Sequence, residues 1–189
     1  MSQLSVWRNR IASLPEVLLF SRFPIDSKTI FHATDRSFAF TNLKPVIPGH
    51  VLVSPIRVVD RLSNLSLEEV EDLFRCARLV GDAVLKAHPH ADSLTLTIQD
   101  GPSAGQTVKH LHIHIMPRWR TDRFNSSKGG NDAIYAEIDA REAQHGAQDR
   151  VKVDEELAEP PRTREDMVSE GMYLRGLVED LISKSDISD

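Results

Sequence analysis

Residues 110–116 read His-Leu-His-Ile-His-Ile-Met, and their strict alternation leaves the backbone little choice. Alternation with period two fits a β-strand, whose successive side chains point to opposite faces. His110, His112 and His114 then share one face while Leu111, Ile113 and Ile115 enter a core. Three imidazoles on one wall are costly to bury unless each finds a partner. A second alternating run at 93–99 sets Leu94, Leu96 and Ile98 on one face and Thr95, Thr97 and Gln99 on the other. Between the two runs lie residues 100–109, with Gly101, Pro102 and Gly105. Hairpin loops usually take about two to five residues, and longer ones disproportionately carry function.

The rest of the chain supplies an α+β frame. Residues 30–42 predict two short strands around a turn at Asp35-Arg36, and HVLVSP at 50–55 predicts another after the breaks at Pro45, Pro48 and Gly49. From Ser66 the period changes. Val70, Leu73, Phe74, Ala77, Val80, Val84 and Leu85 recur at three and four, an amphipathic helix over 66–87 opened by a Ser66/Glu69 capping box and closed before Pro89. Residues 121–132 are polar and 139–165 are charged, with Pro160-Pro161, so both read as mobile loop. A last helix over about 163–183 carries Met167, Leu174, Leu177, Val178 and Leu181 as its apolar stripe. The expected division is an N-terminal extension at 1–19, the domain at 20–138, a charged flexible linker at 139–162, and a C-terminal helix and tail at 163–189.

Composition narrows the classes of function. The 189 residues are 40% hydrophobic and 27% charged, which suits a globular domain rather than a disordered or fibrous chain. A net charge of −5 argues against a general nucleic-acid binder. Cys76 is the only cysteine, so no internal disulfide and no zinc finger can be built. No run approaches the roughly 20 apolar residues of a membrane span, and nothing reads as a signal peptide. The expectation is an intracellular protein, cytoplasmic or nuclear.

Three readings of the histidines compete. The first is a solvated strand face. The second is a zinc site, with two strand histidines and His50 as ligands. The third is phosphoryl chemistry, in which one imidazole attacks phosphorus and its neighbours supply protons and positive charge. The Gly-bearing loop tilts the balance to the third, because its backbone N–H groups and the side chains of Gln106 and Thr107 can hold phosphate oxygens. Lys109, Arg118 and Arg57 add charge nearby in sequence.

Three stretches carry a family resemblance: NLKPVIPGHVLVSP at 42–55, QDGPSAGQTVKHLHIHIMPR at 99–118 and NDAIY at 131–135. They resemble the histidine-triad (HIT) superfamily and, within it, the fragile-histidine-triad branch. The resemblance implies a HIT-like α+β fold over 20–138, with an antiparallel sheet, a packed amphipathic helix and a C-terminal helix. It implies a homodimeric hydrolase that splits diadenosine triphosphate into AMP and ADP. No tightly bound metal is implied; Mg or Mn arrives with the dinucleoside polyphosphate. His112 would be the nucleophile, and His114 would contact the scissile phosphate and assist the leaving group. His110 and His50 would orient the cluster, Asn42 and Gln99 would contact the nucleotide, and Gly105, Gln106, Thr107 and Val108 would line the phosphate site. An adenosine phosphoramidase and a slow nucleotide-binding signalling protein are the alternatives. Neither nucleic acid nor membrane is expected as a partner.

Overall fold

The computed structural model describes residues 9–125, 130–146 and 162–185. A hairpin of β1 (Leu18–Phe20) and β2 (Phe23–Ile25) precedes a five-stranded antiparallel sheet. The sheet contains β3 (Ile30–Ala33), β4 (Ser37–Thr41), β5 (Val51–Pro55), β6 (Ser93–Thr97) and β7 (Ile113–Arg118), in the order β3-β4-β5-β7-β6. Among the described residues three α-helices complete the fold: α1 (Leu67–Ala87), α2 (Ala133–Gly146) and α3 (Arg164–Ser185).

The two faces of the sheet have different tasks. Phe31, Ala39, Val51, Val53, Ile113 and Ile115 point to α1 and α3 and form the main core with Leu73, Val80, Leu174 and Val178. Each of the Val, Leu, Ile and Phe side chains among these contributes roughly 1.5–3 kcal/mol on full burial. On the opposite face, register partners build one row across the sheet: Ile30, Phe40, Leu52, His114 and Thr97. The hairpin β1–β2 covers part of this face through Leu18 and Phe20.

Helix α1 starts where the sequence places it. Ser66 accepts the Glu69 amide at 3.3 Å and the Glu69 carboxylate accepts the Ser66 amide at 2.8 Å, so two donors at the helix start are satisfied together. Phe74, counted in the apolar stripe, is instead 46% exposed. In α3 the stripe is as expected, with Leu174 and Val178 buried and Leu177 and Leu181 packed beside them.

Three boundaries differ from the sequence reading. Strand β7 begins at Ile113 rather than His110, because the preceding turn takes the backbone elsewhere: the His110 amide bonds the Val108 carbonyl at 2.8 Å and the Leu111 amide bonds that of Val59 at 2.6 Å. Of the expected extension 1–19, residues 1–8 lie outside the described residues, and 9–19 are not simply an extension. Leu18 opens β1, and the Arg10 amide and the Asn9 side chain bond the Ala33 backbone, closing the outer edge of β3. Finally, 139–146 is not linker but the second half of α2, held by Ile134 and Ile138, which are buried against Val46, Ile47, Met116 and Phe124. Residues 147–161 of the expected linker lie outside the described residues.

Candidate active site

The histidines converge beside Phe20 on the face opposite α1. His50, His110, His112 and His114 are exposed by only 1%, 0%, 2% and 1%, so the solvated-face reading fails. The rings of His112 and His114 meet edge to face at 4.7 Å between centroids, and Phe20 stands 5.1 Å from His112 and 5.4 Å from His110. Gly49 has φ +82°, and a Cβ there would collide with His88 and Pro117; this tight turn delivers His50 to the start of β5.

Fixed backbone partners determine where the imidazole protons sit. The Ser21 amide donates to His110 Nδ1 at 3.0 Å, so His110 carries its proton on Nε2 and donates it to the Pro55 carbonyl at 2.9 Å. Burial pushes the His110 pKa down to about 4, so this ring stays neutral near pH 7. His112 Nδ1 lies 2.7 Å from the His110 carbonyl, which only accepts, so the proton is on Nδ1 and the lone pair on Nε2. The Val46 amide donates to His50 Nδ1 at 3.2 Å, so His50 Nε2 donates across 3.0 Å to His114 Nδ1. The His114 proton is thereby left on Nε2. A nucleophilic nitrogen on His112 thus sits beside a proton donor on His114.

A cavity of about 420 Å³ adjoins the cluster, walled by Phe20, Phe40, Leu52 and Val108 and bordered by His50 and His114. An apolar chamber of this size with few polar groups suits a nucleoside. Asn42 borders it too: its Oδ1 accepts the Lys44 amide at 3.0 Å, and its Nδ2 lies 3.3 Å from each ring nitrogen of His50. It is both a turn cap and a cavity residue.

The loop before the triad is only partly as expected. Gly105 ends a short turn at Pro102–Ala104 with φ +89°. Val108 faces the cavity, Thr107 is half-buried, and the Gln106 amide is spent on the Asp60 carbonyl at 2.8 Å. Arg57 and Arg118 are not available charges. Arg57 forks onto Glu69, holding that carboxyl down to about 2, and Arg118 forks onto buried Asp122. Gln99 lies two residues past the end of β6, is buried, and donates its amide to Asp139. The sequence reading missed Asp139, Ile138 and Arg141, all on α2. The available signal was Ile134 and Ile138, four residues apart in a charged stretch.

The model of the HIT domain family matches residues 24–121, just over half of the chain. The chain belongs to the HIT domain family. Among similar proteins, the nitrilase and fragile histidine triad fusion protein NitFhit of Caenorhabditis elegans is 44% identical over 161 residues, 85% of this chain and 32% of that protein. This chain therefore spans about a third of that relative. The crystal structure of C. elegans NitFhit superposes with a TM-score of 0.62 and 38% identity, covering 87% of this chain and 31% of that one. A bis(5'-adenosyl)-triphosphatase of Dictyostelium discoideum is 41% identical over 166 residues, 88% of this chain and 96% of that protein. An asymmetrical bis(5'-nucleosyl)-tetraphosphatase of Schizosaccharomyces pombe is 38% identical over 180 residues, 86% of this chain and 95% of that one. The α+β architecture described above is thus the HIT fold.

Proposed function

We propose that this HIT domain hydrolyses dinucleoside polyphosphates, preferentially diadenosine triphosphate to AMP and ADP, through a nucleotidyl-histidine on His112. The observation that carries the reading is the partner arrangement of two rings 4.7 Å apart: His112 Nδ1 on the His110 carbonyl, which leaves its lone pair on Nε2, and His114 Nδ1 on His50, which leaves its proton on Nε2. In the first step His112 Nε2 bonds to the α-phosphorus and the P–O bond to ADP breaks, with His114 Nε2–H supplying its proton to the departing oxygen. In the second, water attacks the same phosphorus, gives its proton back to His114 Nε2, and the P–N bond breaks to release AMP. His50 orients His114, His110 orients His112, Asn42 and Gln99 contact the nucleotide, and the loop from Gly105 to Val108 borders the phosphates. The polyphosphate enters as its Mg or Mn complex. The names of the D. discoideum and S. pombe relatives support this substrate class.

The same reading includes a homodimer. Strand β6 is a sheet edge with Leu96 46% exposed, and Phe74 on α1 lies two turns before Gly81, which packs on Leu94 of that strand. An unpaired edge flanked by exposed apolar side chains is a template for a second copy. The single cysteine, buried as a thiol, suits a reducing intracellular setting.

The test is product analysis of diadenosine triphosphate cleavage in ¹⁸O-labelled water, with and without chelator, alongside the tetraphosphate and an AMP-amine phosphoramidate. Label in AMP and none in ADP, with His112→Asn inactive by several orders of magnitude but still binding, supports the mechanism. Undiminished turnover in His112→Asn overturns it.

A further inference from the structure

Besides Asp100, which the Arg61 side chain and the Leu62 amide already hold, a carboxylate from α2 reaches the Gly-bearing loop. Asp139, from α2, accepts the side-chain amide N–H of Gln99. An ionised carboxylate only accepts hydrogen bonds, so it takes the NH₂ side of the amide and fixes which way Gln99 is turned. Gln99 Oε1 is left as the opposite end. Gln99 is only 9% exposed, and among the described residues this oxygen is buried with no hydrogen-bond donor. A buried acceptor left unfilled is destabilising, so its retention points to a donor that arrives from elsewhere.

Gly105 makes the arrangement possible. Its φ is +89°, and a Cβ there would come within 2.5 Å of both Asp139 Oδ1 and Gln99 Nε2. A bare backbone at 105 lets the carboxylate and the amide meet over the loop. Helix α2 holds Asp139 in place from both sides: Ile138 is buried in the apolar cluster, and Arg141 donates to the Pro45 carbonyl at 2.6 Å and forks onto Glu137.

We infer that Asp139 is a positioning residue, holding Gln99 Oε1 as the acceptor for an O–H donor of the reaction. Two sources share that chemistry: a ribose hydroxyl of the bound nucleotide, and the water that attacks the nucleotidyl-histidine. This inference rests on the hydrolase reading above. Asp139 touches no reacting atom and acts through Gln99.

The experiment combines a double-variant cycle with a probe that does not depend on turnover. Asp139→Ala and Gln99→Ala should each lower kcat/KM for diadenosine triphosphate about 10- to 100-fold, and the double variant should lose no more than Gln99→Ala alone. Asp139→Asn, which keeps an accepting oxygen, should recover most of the loss, and the melting temperature identifies any variant that fails to fold. If water is the donor, nucleotidyl-enzyme accumulates in Asp139→Ala. If ribose is the donor, the wild type and Asp139→Ala converge on a dideoxyribose substrate. A loss with neither signature, losses that multiply, or an Asp139→Ala enzyme as active as wild type overturns the inference. The side-chain amide signals of Gln99 by NMR, in wild type and Asp139→Ala without substrate, read the Asp139 bond directly. Unchanged signals sink the positioning role whatever the activity, whereas changed signals in a protein that cleaves no dinucleoside polyphosphate would instead sink the hydrolase reading.

Discussion

His50 Nε2 lies 3.0 Å from His114 Nδ1, and the Val46 amide on the far nitrogen of His50 decides which of the two rings donates. The main chain of the turn before β5 thereby sets the proton on a side chain of β7. Removing His50 frees His114 to take either tautomer, and only one of them presents a donor from Nε2. We expect His50→Ala to lower kcat by about 100-fold with little change in KM, the scale of a positioned proton transfer. His50→Gln, whose amide can still donate to His114 Nδ1, should recover part of the loss. Steady-state kinetics of the two variants check this; equal activity in His50→Ala and wild type would refute the tautomer argument.

His32 offers a separate test of burial. It sits on β3 with no solvent exposure, and among the described residues neither ring nitrogen has a hydrogen-bond partner. Burial pushes its pKa from 6.5 down to about 4. The unfolded chain therefore binds a proton below about pH 6.5 that the folded chain refuses until about pH 4. Stability from this source is whole above pH 6.5 and drains away as pH falls through that window, by about 3 kcal/mol at the limit. His110, also pushed down to about 4, drains it in the same sense. His88, Glu69, Asp26 and Asp122, whose pKa values are also held down, add to the acid slope, so His32→Leu should remove a measurable part of it without touching the candidate site. Urea unfolding at pH 7 and at pH 4.5 measures it, and an unchanged slope would mean that His32 is solvated or paired.

Helix α2 is attached by few groups, which makes its docking separable from the stability of the domain. Ile134 and Ile138 are its buried apolar residues among those described up to Arg141, and Arg141 is its buried tie to Pro45. Replacing a buried isoleucine by alanine costs about 2–5 kcal/mol. In Ile138→Ala that cost should fall on local docking, so amide exchange over 133–141 should speed up while α1 and the sheet stay protected. Hydrogen exchange by mass spectrometry separates this from global unfolding, which would raise exchange everywhere at once.

The same helix shows where sequence reasoning reached and where it stopped. Sheet and α1 were legible because their periods are dense: Leu111, Ile113 and Ile115 alternate with histidines, and seven apolar residues of 70–85 recur at three and four. Helix α2 shows only one apolar pair at helical spacing amid charge, and such a stretch reads as solvated chain until Val46, Ile47 and Phe124 supply a surface for it. The clustering of His50 with His114 was approachable from the PGH turn, but their shared proton was not, because it depends on an amide four residues before His50. Nearness in sequence misled for Arg57 and Arg118, whose partners Glu69 and Asp122 hold them by two bonds each. A strand period also cannot show where its ladder starts; the bond from Leu111 to Val59 sets that limit.

The edge of β6 carries the last prediction. In an isologous contact each copy presents the same surface, so one added charge is met by its own image across the two-fold axis. Leu96 is 46% exposed at this edge and is not among the buried residues of the main core, so Leu96→Lys leaves that core's own side chains in place. We expect the variant to keep the wild-type melting profile at high dilution, yet to shift from dimer to monomer in light scattering at micromolar concentration. A charged side chain at an edge is also how strands avoid pairing, so the direction of the effect follows from the edge alone. Phe74→Glu should act in the same sense, since Phe74 flanks the edge from α1. A wild type that is monomeric, or a Leu96→Lys variant that stays dimeric, would place any second copy on another face.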